Sequence, residues 1–250
     1  MLFRTTIIAS AALALAASVA EAHSWVDCTD WRFNNPAKPG FSDKDGKCHG
    51  WARQFPVGGN VPDFGLLDSF SPSRHFQQKD TSNPAPCSTG DRKSGADESG
   101  ADETRKSPIS KAYGGKWGTQ ASANAGSKIC LRWPAKNHAV KTEKENFVFV
   151  NMPQTLLDKD PDQDGFTKSN IAKIPYKNCN YSGNDDTTPC GGCFNIPSGL
   201  ASGNYVLQWR WTLNKGETYT SCWDLNVTGG ANGTAILGPD TSIFNELYQD

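Results

Sequence analysis

His23 directly follows an Ala-Glu-Ala tripeptide at 20–22, the small-x-small pattern of a secretory cleavage site. Upstream lie a single positive residue, Arg4, and an apolar run over 7–20, so we expect residues 1–22 to be a signal peptide that is removed. The mature chain would then begin with a histidine, whose α-amine and ring nitrogen can both bind one metal ion. A second histidine would complete a three-nitrogen site of the tetragonal kind that suits copper. The alternative is that His23 merely happens to follow the cleavage site.

Three other histidines could supply the remaining nitrogen: His49, His75 and His138. His138 lies in a polar turn after an apolar segment, and a side chain in such a turn can reach a surface. His49 follows Cys48, so we expect it to be held near a disulfide, and His75 lies in an unremarkable loop. Position in the sequence alone does not show which of the three histidines is the ligand. A lone histidine is more often an ordinary polar residue than a metal ligand.

Glu217 and Tyr219 lie two residues apart in a segment that alternates apolar and polar residues. On a strand, this spacing puts both side chains on one face. The tyrosine could occupy the axial side of a copper site, and the carboxylate could hydrogen-bond to an oxygen ligand of the metal. Taken alone, the pair is better explained as a core tyrosine beside a partly exposed glutamate.

The elements that would position these residues are β-strands. Glycine and proline are frequent, and no long helical periodicity is present. An even alternation over 204–213 and over 217–227, around a turn at 214–216, predicts a hairpin. Further strands are predicted over 129–133 and 147–150. The sequence therefore predicts a mainly β protein, an immunoglobulin-like or fibronectin-like sandwich with long irregular loops.

The tryptophans near the N-terminus and in the hairpin are expected to differ in environment. Trp209 and Trp211 fall on the apolar face of their predicted strand, so we expect them in the core. Trp25 and Trp31 lie close to the mature N-terminus and are candidates for exposed rings beside a metal. The charge-rich segment 88–108 has few apolar anchors, which predicts a mobile loop.

All eight cysteines follow the predicted cleavage site, and an even number in a secreted chain predicts four disulfides. The pair at 190 and 193 has zinc-knuckle spacing, but no second CxxC is present, which favours disulfides. Three glycosylation sequons also agree with secretion. The cysteines are Cys28, Cys48, Cys87, Cys130, Cys179, Cys190, Cys193 and Cys222, and the sequon residues are Asn180, Asn226 and Asn232.

The net charge of the chain and the length of its apolar segments argue against two classes of protein. The formal net charge of −1 argues against a nucleic-acid-binding protein. The apolar run of the leader is too short for a membrane span, and no later segment approaches one. We therefore expect a secreted, extracellular monomer without a membrane segment. Its one domain would cover 23–228, followed by a glycine-rich tail over 229–250.

Three motifs together resemble the lytic polysaccharide monooxygenases: His23-Ser-Trp, Trp133-x-Ala-x-x-His138 and Glu217-Thr-Tyr219-Thr-Ser-Cys222. These copper enzymes have an N-terminal histidine, a second histidine in a turn after a strand, and a tyrosine or phenylalanine on a late strand. The last motif is similar to the Gln-x-Tyr-x-Ser-Cys strand of fungal members, with glutamate replacing glutamine. The start His-Ser-Trp-Val-Asp-Cys and the cysteine pattern most resemble the secreted oomycete family that attacks pectin. The resemblance spans about residues 23 to 228.

The resemblance implies a copper-dependent monooxygenase that oxidatively cleaves glycosidic bonds of a plant cell-wall polysaccharide. Pectin, as homogalacturonan, is favoured, with cellulose and chitin as alternatives. One copper per chain would be held by the amine and ring of His23 and by His138. Tyr219 would lie on the axial side, and Glu217 would hydrogen-bond to the oxygen co-substrate.

The implied partners are the polysaccharide, an external electron donor, and hydrogen peroxide or dioxygen. Two other classes stay open at this point. One is a non-catalytic copper-binding protein with the same histidines, and the other is a carbohydrate-binding module without metal.

Overall fold

The computed structural model describes residues 24–55, 57, 77–79, 86–87, 102–134, 147–176, 189–214 and 217–229, without the side chains at 77–79, 213, 214 and 217. The predicted signal peptide and the tail beyond Gly229 therefore lie outside the described residues. So do several residues singled out from the sequence: His23, His75, His138, Cys179, Asn180 and Asn232.

Short strands dominate this part of the chain, with one brief α-helix and one 3-10 turn. All four strands predicted from the sequence are present, so the mainly β prediction is confirmed. The elements are β1 (Trp31–Phe33), β2 (Gly46–Cys48), β3 (Gln77–Lys79), a 3-10 turn (Ile109–Ala112), β4 (Ala121–Asn124), β5 (Lys128–Pro134), β6 (Phe147–Asn151), α1 (Gln163–Thr167), β7 (Asn170–Pro175), β8 (Pro189–Asn195), β9 (Gly203–Asn214) and β10 (Glu217–Thr228).

The largest sheet has the order β3-β10-β9-β6-β7, and β4 pairs in parallel with β10. Strands β9 and β10 form the predicted hairpin, in antiparallel register from Glu217 opposite Asn214 to Val227 opposite Gly203. Strand β5 pairs with β8 as a separate two-stranded layer. Trp133 of β5 packs against Trp209 of β9 with ring centroids 6.1 Å apart. The two layers thus face each other across a core, as in the predicted sandwich.

Strand β9 has the predicted apolar face, on which Trp209 and Trp211 are fully buried. Its opposite face is polar, as the alternation requires, yet Gln208 there is also fully buried. The reason is a cover formed by α1 and the short segment 86–87. The Gln208 amide donates to the Pro86 carbonyl and to the Gln163 side chain, which satisfies a polar group that would otherwise be costly to bury.

Trp25 and Trp31 are buried, so the expectation that they are exposed beside a metal is wrong. Trp25 is inaccessible and packs in the main core. Trp31 is 2% exposed, its indole N–H donates to the Gly40 carbonyl at 3.0 Å, and the Arg132 guanidinium lies 4.4 Å from its ring centroid. The Trp25 ring turns inward because the chain after Ser24 runs against strand β5, and the Trp31 ring packs in a second cluster with Phe41 and Cys130.

Three disulfides lie wholly within the described residues: Cys28–Cys48, Cys87–Cys222 and Cys130–Cys193. Cys190 is disulfide-bonded as well. Cysteines 190 and 193 are therefore disulfide cysteines, as predicted, and do not form a zinc knuckle. No described helix is long and apolar enough to cross a membrane.

Residues 102–108 contradict the prediction of a mobile loop for the part of 88–108 that the structure describes. Glu103 is fully buried, and its carboxylate accepts the Cys222 amide at 2.7 Å. The Arg105 side chain is 5% exposed and lies 3.5 Å from Asp224. Charged groups therefore anchor this segment in place of apolar ones.

Arg53 lies at the centre of the charged network that holds residues 102–108 in place. Its fully buried guanidinium donates to Asp224 at 2.8 and 2.9 Å and to Asp160 at 2.8 and 2.9 Å. It also donates to the Glu103 carbonyl at 2.9 Å. A guanidinium with two bidentate carboxylates is well matched in geometry, so the network holds β10, the 102–108 segment and the residues before α1 together.

Candidate functional site

The first described residues, 24–28, lie along strand β5. The amides of Asp27 and Cys28 donate to the Arg132 carbonyl, and the Arg132 amide donates back to Cys28 at 2.9 Å. This antiparallel contact carries Ser24 to the end of β5. There the Ser24 hydroxyl donates to the Pro134 carbonyl at 3.0 Å. The residue that follows His23 is thus fixed to the strand end that precedes His138 by four residues.

Tyr176, directly after β7, completes this contact. It is 2% exposed, and its hydroxyl lies 3.0 Å from the Ser24 hydroxyl and 3.2 Å from the Pro134 carbonyl, donating to both. One phenol therefore joins three parts of the chain that are far apart in sequence. Nothing in the local pattern around Tyr176 indicated this role.

A stack of aromatic rings leads from Tyr176 to the predicted axial residue. Tyr176 lies flat on Trp211, with centroids 4.1 Å apart and planes 13° apart. Trp211 in turn stacks on Tyr219 at 5.2 Å, since the two residues are opposite each other on β9 and β10. All three side chains are buried. Tyr219 is therefore connected to the Ser24–Pro134 contact through two rings.

The serine and cysteine at the end of the Glu-Thr-Tyr-Thr-Ser-Cys segment have structural roles. The Ser221 hydroxyl oxygen accepts the Val26 amide at 3.3 Å, which docks the N-terminal segment on β10. Cys222 forms the disulfide with Cys87. Along β10, Tyr219 and Ser221 thus face the core and the N-terminal chain, whereas Cys222 and Asp224 face the opposite side, toward Cys87 and Arg53.

A buried ion pair lies beside the N-terminal segment. Arg132 bonds Asp27 at 2.6 Å, with both side chains inaccessible, and reaches Asp43 at 2.7 Å. Burial raises the pKa of Asp27 to about 6, even though the adjacent Arg132 favours the ionised carboxylate. The charge of Asp27 therefore depends on pH in the weakly acidic range.

The remaining predicted site residues are placed as follows. His49 is exposed beside the Cys28–Cys48 disulfide, as expected, and its amide donates to the Asp30 carbonyl at 2.8 Å. The backbone of Glu217 pairs with Asn214 and Lys79, while its side chain is outside the description. Half-buried Asn226 lies in β10, between β9 and β4.

Within the described ranges, no three His, Cys, Asp or Glu side chains are grouped to hold a metal.

Comparison with known proteins gives partial structural likenesses. No protein-family profile matches the chain, and no curated protein sequence matches it. Among solved structures, the cellulose-active LPMO CelS2 in complex with copper has a TM-score of 0.36 and 20% identity, over 72% of this chain and 74% of that one. HiLPMO9B has a TM-score of 0.34 and 20% identity, over 68% and 73%.

A cellulose-active polysaccharide monooxygenase from M. thermophila has a TM-score of 0.29 and 21% identity, over 47% of this chain and 57% of that one. The soluble domain of PmoD from Methylocystis sp. has a TM-score of 0.27 and 12% identity, over 44% and 79%.

Proposed function

We propose that this chain is a secreted, copper-dependent lytic polysaccharide monooxygenase acting on a plant cell-wall polysaccharide, with homogalacturonan as the favoured substrate. One observation carries the proposal: Ser24, Pro134 and Tyr219 are linked by Tyr176 and Trp211 in one buried corner. These residues belong to, or directly adjoin, the three motifs that resemble the monooxygenases. Residues of these motifs that are up to 195 positions apart in the sequence, Ser24 and Tyr219, thus lie in one corner of the fold.

The donor set of the proposed centre suits copper. His23 would contribute its α-amine and a ring nitrogen, and His138 a second ring nitrogen. Three nitrogens in a tetragonal arrangement favour copper over calcium or magnesium, which prefer oxygen. When bound, copper would supply one-electron redox chemistry.

The protein's own residues would orient and shield this centre. Ser24 and Tyr176 fix the direction in which the chain arrives from His23, and the Pro134 carbonyl fixes the strand that leads toward His138. The buried Trp211–Tyr219 stack would exclude water from the side of the proposed centre that faces the core. Glu217 would hydrogen-bond to the oxygen co-substrate, a role that orients it without binding the metal.

The overall reaction replaces a C–H bond at the glycosidic carbon by C–OH. With dioxygen, two electrons from an external donor and two protons convert the second oxygen atom to water. With hydrogen peroxide, one oxygen atom is inserted and the other leaves as water, so this reaction consumes no electrons from the external donor. The hydroxylated carbon then becomes a carbonyl: its C–O bond to the neighbouring sugar breaks, and the hydroxyl proton passes to the departing oxygen, which leaves as an alcohol and breaks the chain.

The decisive experiment incubates copper-loaded mature protein, beginning at His23, with ascorbate and polygalacturonate, cellulose or chitin in separate reactions. We expect soluble fragments carrying one added oxygen atom or the corresponding lactone or ketone mass, from polygalacturonate first. Fragments from none of the three substrates at full copper occupancy would contradict the proposal. Copper binding without any product would then indicate a copper-binding protein, and absence of copper binding a metal-free carbohydrate-binding module.

A matched control tests the role of the N-terminal amine. A variant with one glycine before His23 keeps both histidine rings but turns the ligating amine into an amide. We expect calorimetry to show greatly weakened copper binding in this variant. Equal affinity with and without the extra glycine would exclude the amine as a ligand.

A further inference from the structure

A cleft of about 470 Å³ opens between β1 with its following loop and the segment 122–128, which comprises most of β4, the turn after it and the start of β5. Its floor is formed by Ile129 and the Cys130–Cys193 disulfide. Strand β5 runs from this cleft, at Lys128, to the Ser24 contact at Pro134, which separates the two places by roughly 20 Å at the usual rise of a strand. The cleft is therefore distinct from the corner that holds Tyr219.

The two walls of the cleft differ in chemistry. One wall is apolar and contains a half-buried aromatic ring, and the other presents hydroxyl and amide groups of β4 and of the turn that follows it. The apolar wall is Phe33, Pro36 and Pro39, and the polar wall is Ser122, Asn124 and Ser127. A pyranose ring has the matching shape, because its C–H face is apolar and its hydroxyls project from the rim. The volume of the cleft, about 470 Å³, falls in the usual range of small-molecule sites.

The hydrogen bonds of the polar wall leave it able to bind a ligand. Ser122 and Ser127 donate their hydroxyl hydrogens to carbonyls of the sheet, at 3.1 and 2.7 Å, so their oxygens remain as acceptors. The Asn124 oxygen accepts from Thr228 at 2.7 Å, which points to its amide nitrogen as a donor. The wall thus offers two acceptors and one donor to sugar hydroxyls.

The charged side chains at the rim of the cleft indicate which class of sugar it would bind. Arg32 is held by Asp30 at 2.7 Å, so its charge is already balanced. Lys128 is exposed and forms no ion pair with any residue in the described ranges. A lysine ammonium at the edge of a sugar-shaped cleft favours a carboxylate over a neutral ligand.

We propose that this cleft binds a uronic acid residue of an acidic glycan. The sugar's C–H face would lie against Phe33, its hydroxyls would contact Ser122, Asn124 and Ser127, and its carboxylate would pair with Lys128. The choice of a glycan rests on the proposed function, whereas the cleft and its charge do not. The site would attach the protein to its substrate at a place remote from the reacting corner.

The test uses copper-free mature protein, so that its outcome is independent of any redox activity. Oligogalacturonide is titrated into the ¹⁵N-labelled protein, with cello-oligosaccharide of equal length as the neutral comparison. We expect amide shifts at 32–39 and 122–128, and binding of oligogalacturonide at least about tenfold tighter than of the neutral sugar. Lys128→Gln should remove that preference, and Phe33→Leu should weaken the binding of both sugars.

The matched control is the double variant Phe147→Leu and Lys173→Gln. There a lysine ammonium lies 3.8 Å from a half-buried phenylalanine ring, as a cation–aromatic pair on β6 and β7. This variant should bind oligogalacturonide like the parent. Absence of shifts at the cleft, or equal binding by the parent, Lys128→Gln and Phe33→Leu proteins, would overturn the proposal. Lys128 is exposed, so its variant decides the question even if Phe33→Leu does not fold.

Discussion

The hydroxyl of Tyr176 lies 3.0 Å from the hydroxyl of Ser24, although 152 positions separate the two residues. Because both side chains are buried, water does not readily replace this hydrogen bond if it is removed. The bond ties the residue after the proposed N-terminal ligand to the main sheet.

Tyr176→Phe should weaken copper binding while leaving the fold intact. The variant keeps the stack on Trp211 but loses the hydroxyl that holds Ser24 and Pro134. We expect an affinity loss of roughly tenfold, the lower end for groups that orient metal ligands, and a changed Cu(II) paramagnetic resonance spectrum. The matched control is Tyr205→Phe, whose hydroxyl likewise bonds a backbone carbonyl, of Ala201, at 3.0 Å. Equal copper affinity in the two variants would remove Tyr176 from the site.

His138→Ala should abolish the tetragonal Cu(II) spectrum, because one of three nitrogens is lost. His49→Ala should leave it unchanged, since His49 is exposed beside the Cys28–Cys48 disulfide. Paramagnetic resonance at equal copper loading checks both variants. His75→Ala completes the series, and loss of the signal only there or only in His49→Ala would show that a different histidine is the ligand.

Tyr219 and Glu217 should affect different properties. Tyr219→Phe preserves the ring that stacks on Trp211, so copper should stay bound with a modest spectral change. Glu217→Ala should reduce turnover by roughly ten- to a hundredfold, whereas Glu217→Gln should retain measurable activity because an amide can still hydrogen-bond. Oxidised products are quantified at verified copper occupancy. Full activity of Glu217→Ala would mean that the carboxylate has no part in turnover.

Asp27 should make stability depend on pH in the weakly acidic range. Its pKa of about 6 in the folded protein lies above the ordinary value of 3.8, so the folded state binds more protons between those values. The free energy of unfolding should therefore fall as pH rises from about 4 to 6, by roughly 2–3 kcal/mol from this group. Urea unfolding at several pH values should show that Asp27→Asn lacks this component. A carboxyl titration midpoint near 4 for Asp27 would contradict the expectation.

Arg53→Met should be strongly destabilising. The change leaves Asp224 and Asp160 without the guanidinium that now bonds both, and breaking a buried pair in this way costs about 3–5 kcal/mol. Arg32→Met is the comparison, since that side chain is 58% exposed and pairs with Asp30, which predicts a loss of at most about 1 kcal/mol. Thermal or urea unfolding gives both values, and similar losses would show that the Arg53 network contributes little.

The strands could be predicted where the pattern is local. The hairpin of β9 and β10 follows from even alternation on both sides of Asn214-Lys215-Gly216, and the burial of Trp209 and Trp211 follows from the same alternation. The burial of Trp25 and Trp31 does not follow from alternation. Trp25 is enclosed because residues 27–28 pair with β5, more than a hundred residues away, and Trp31 packs in a cluster with Phe41 and Cys130. No local pattern contains that information.

The charged segment at 102–108 shows the same limit. A run of acidic and basic residues normally indicates a solvated loop, and Glu103 and Arg105 are buried only because Arg53 and Asp224 lie opposite them. Likewise, the sequence indicated Tyr219 through a motif, but the rings that connect it to Ser24 depend on β7 and β9 lying in one sheet with β10.

The bond from the Val26 amide to Ser221 spans 195 positions. Its two partners are made near opposite ends of translation, and proteins dominated by contacts of such sequence separation fold slowly. The N-terminal segment cannot bond to Ser221 until β10 has been synthesised, so the proposed metal corner cannot be complete before then. A chain truncated before β10 would lack this corner entirely, even if its first hundred residues were translated without error.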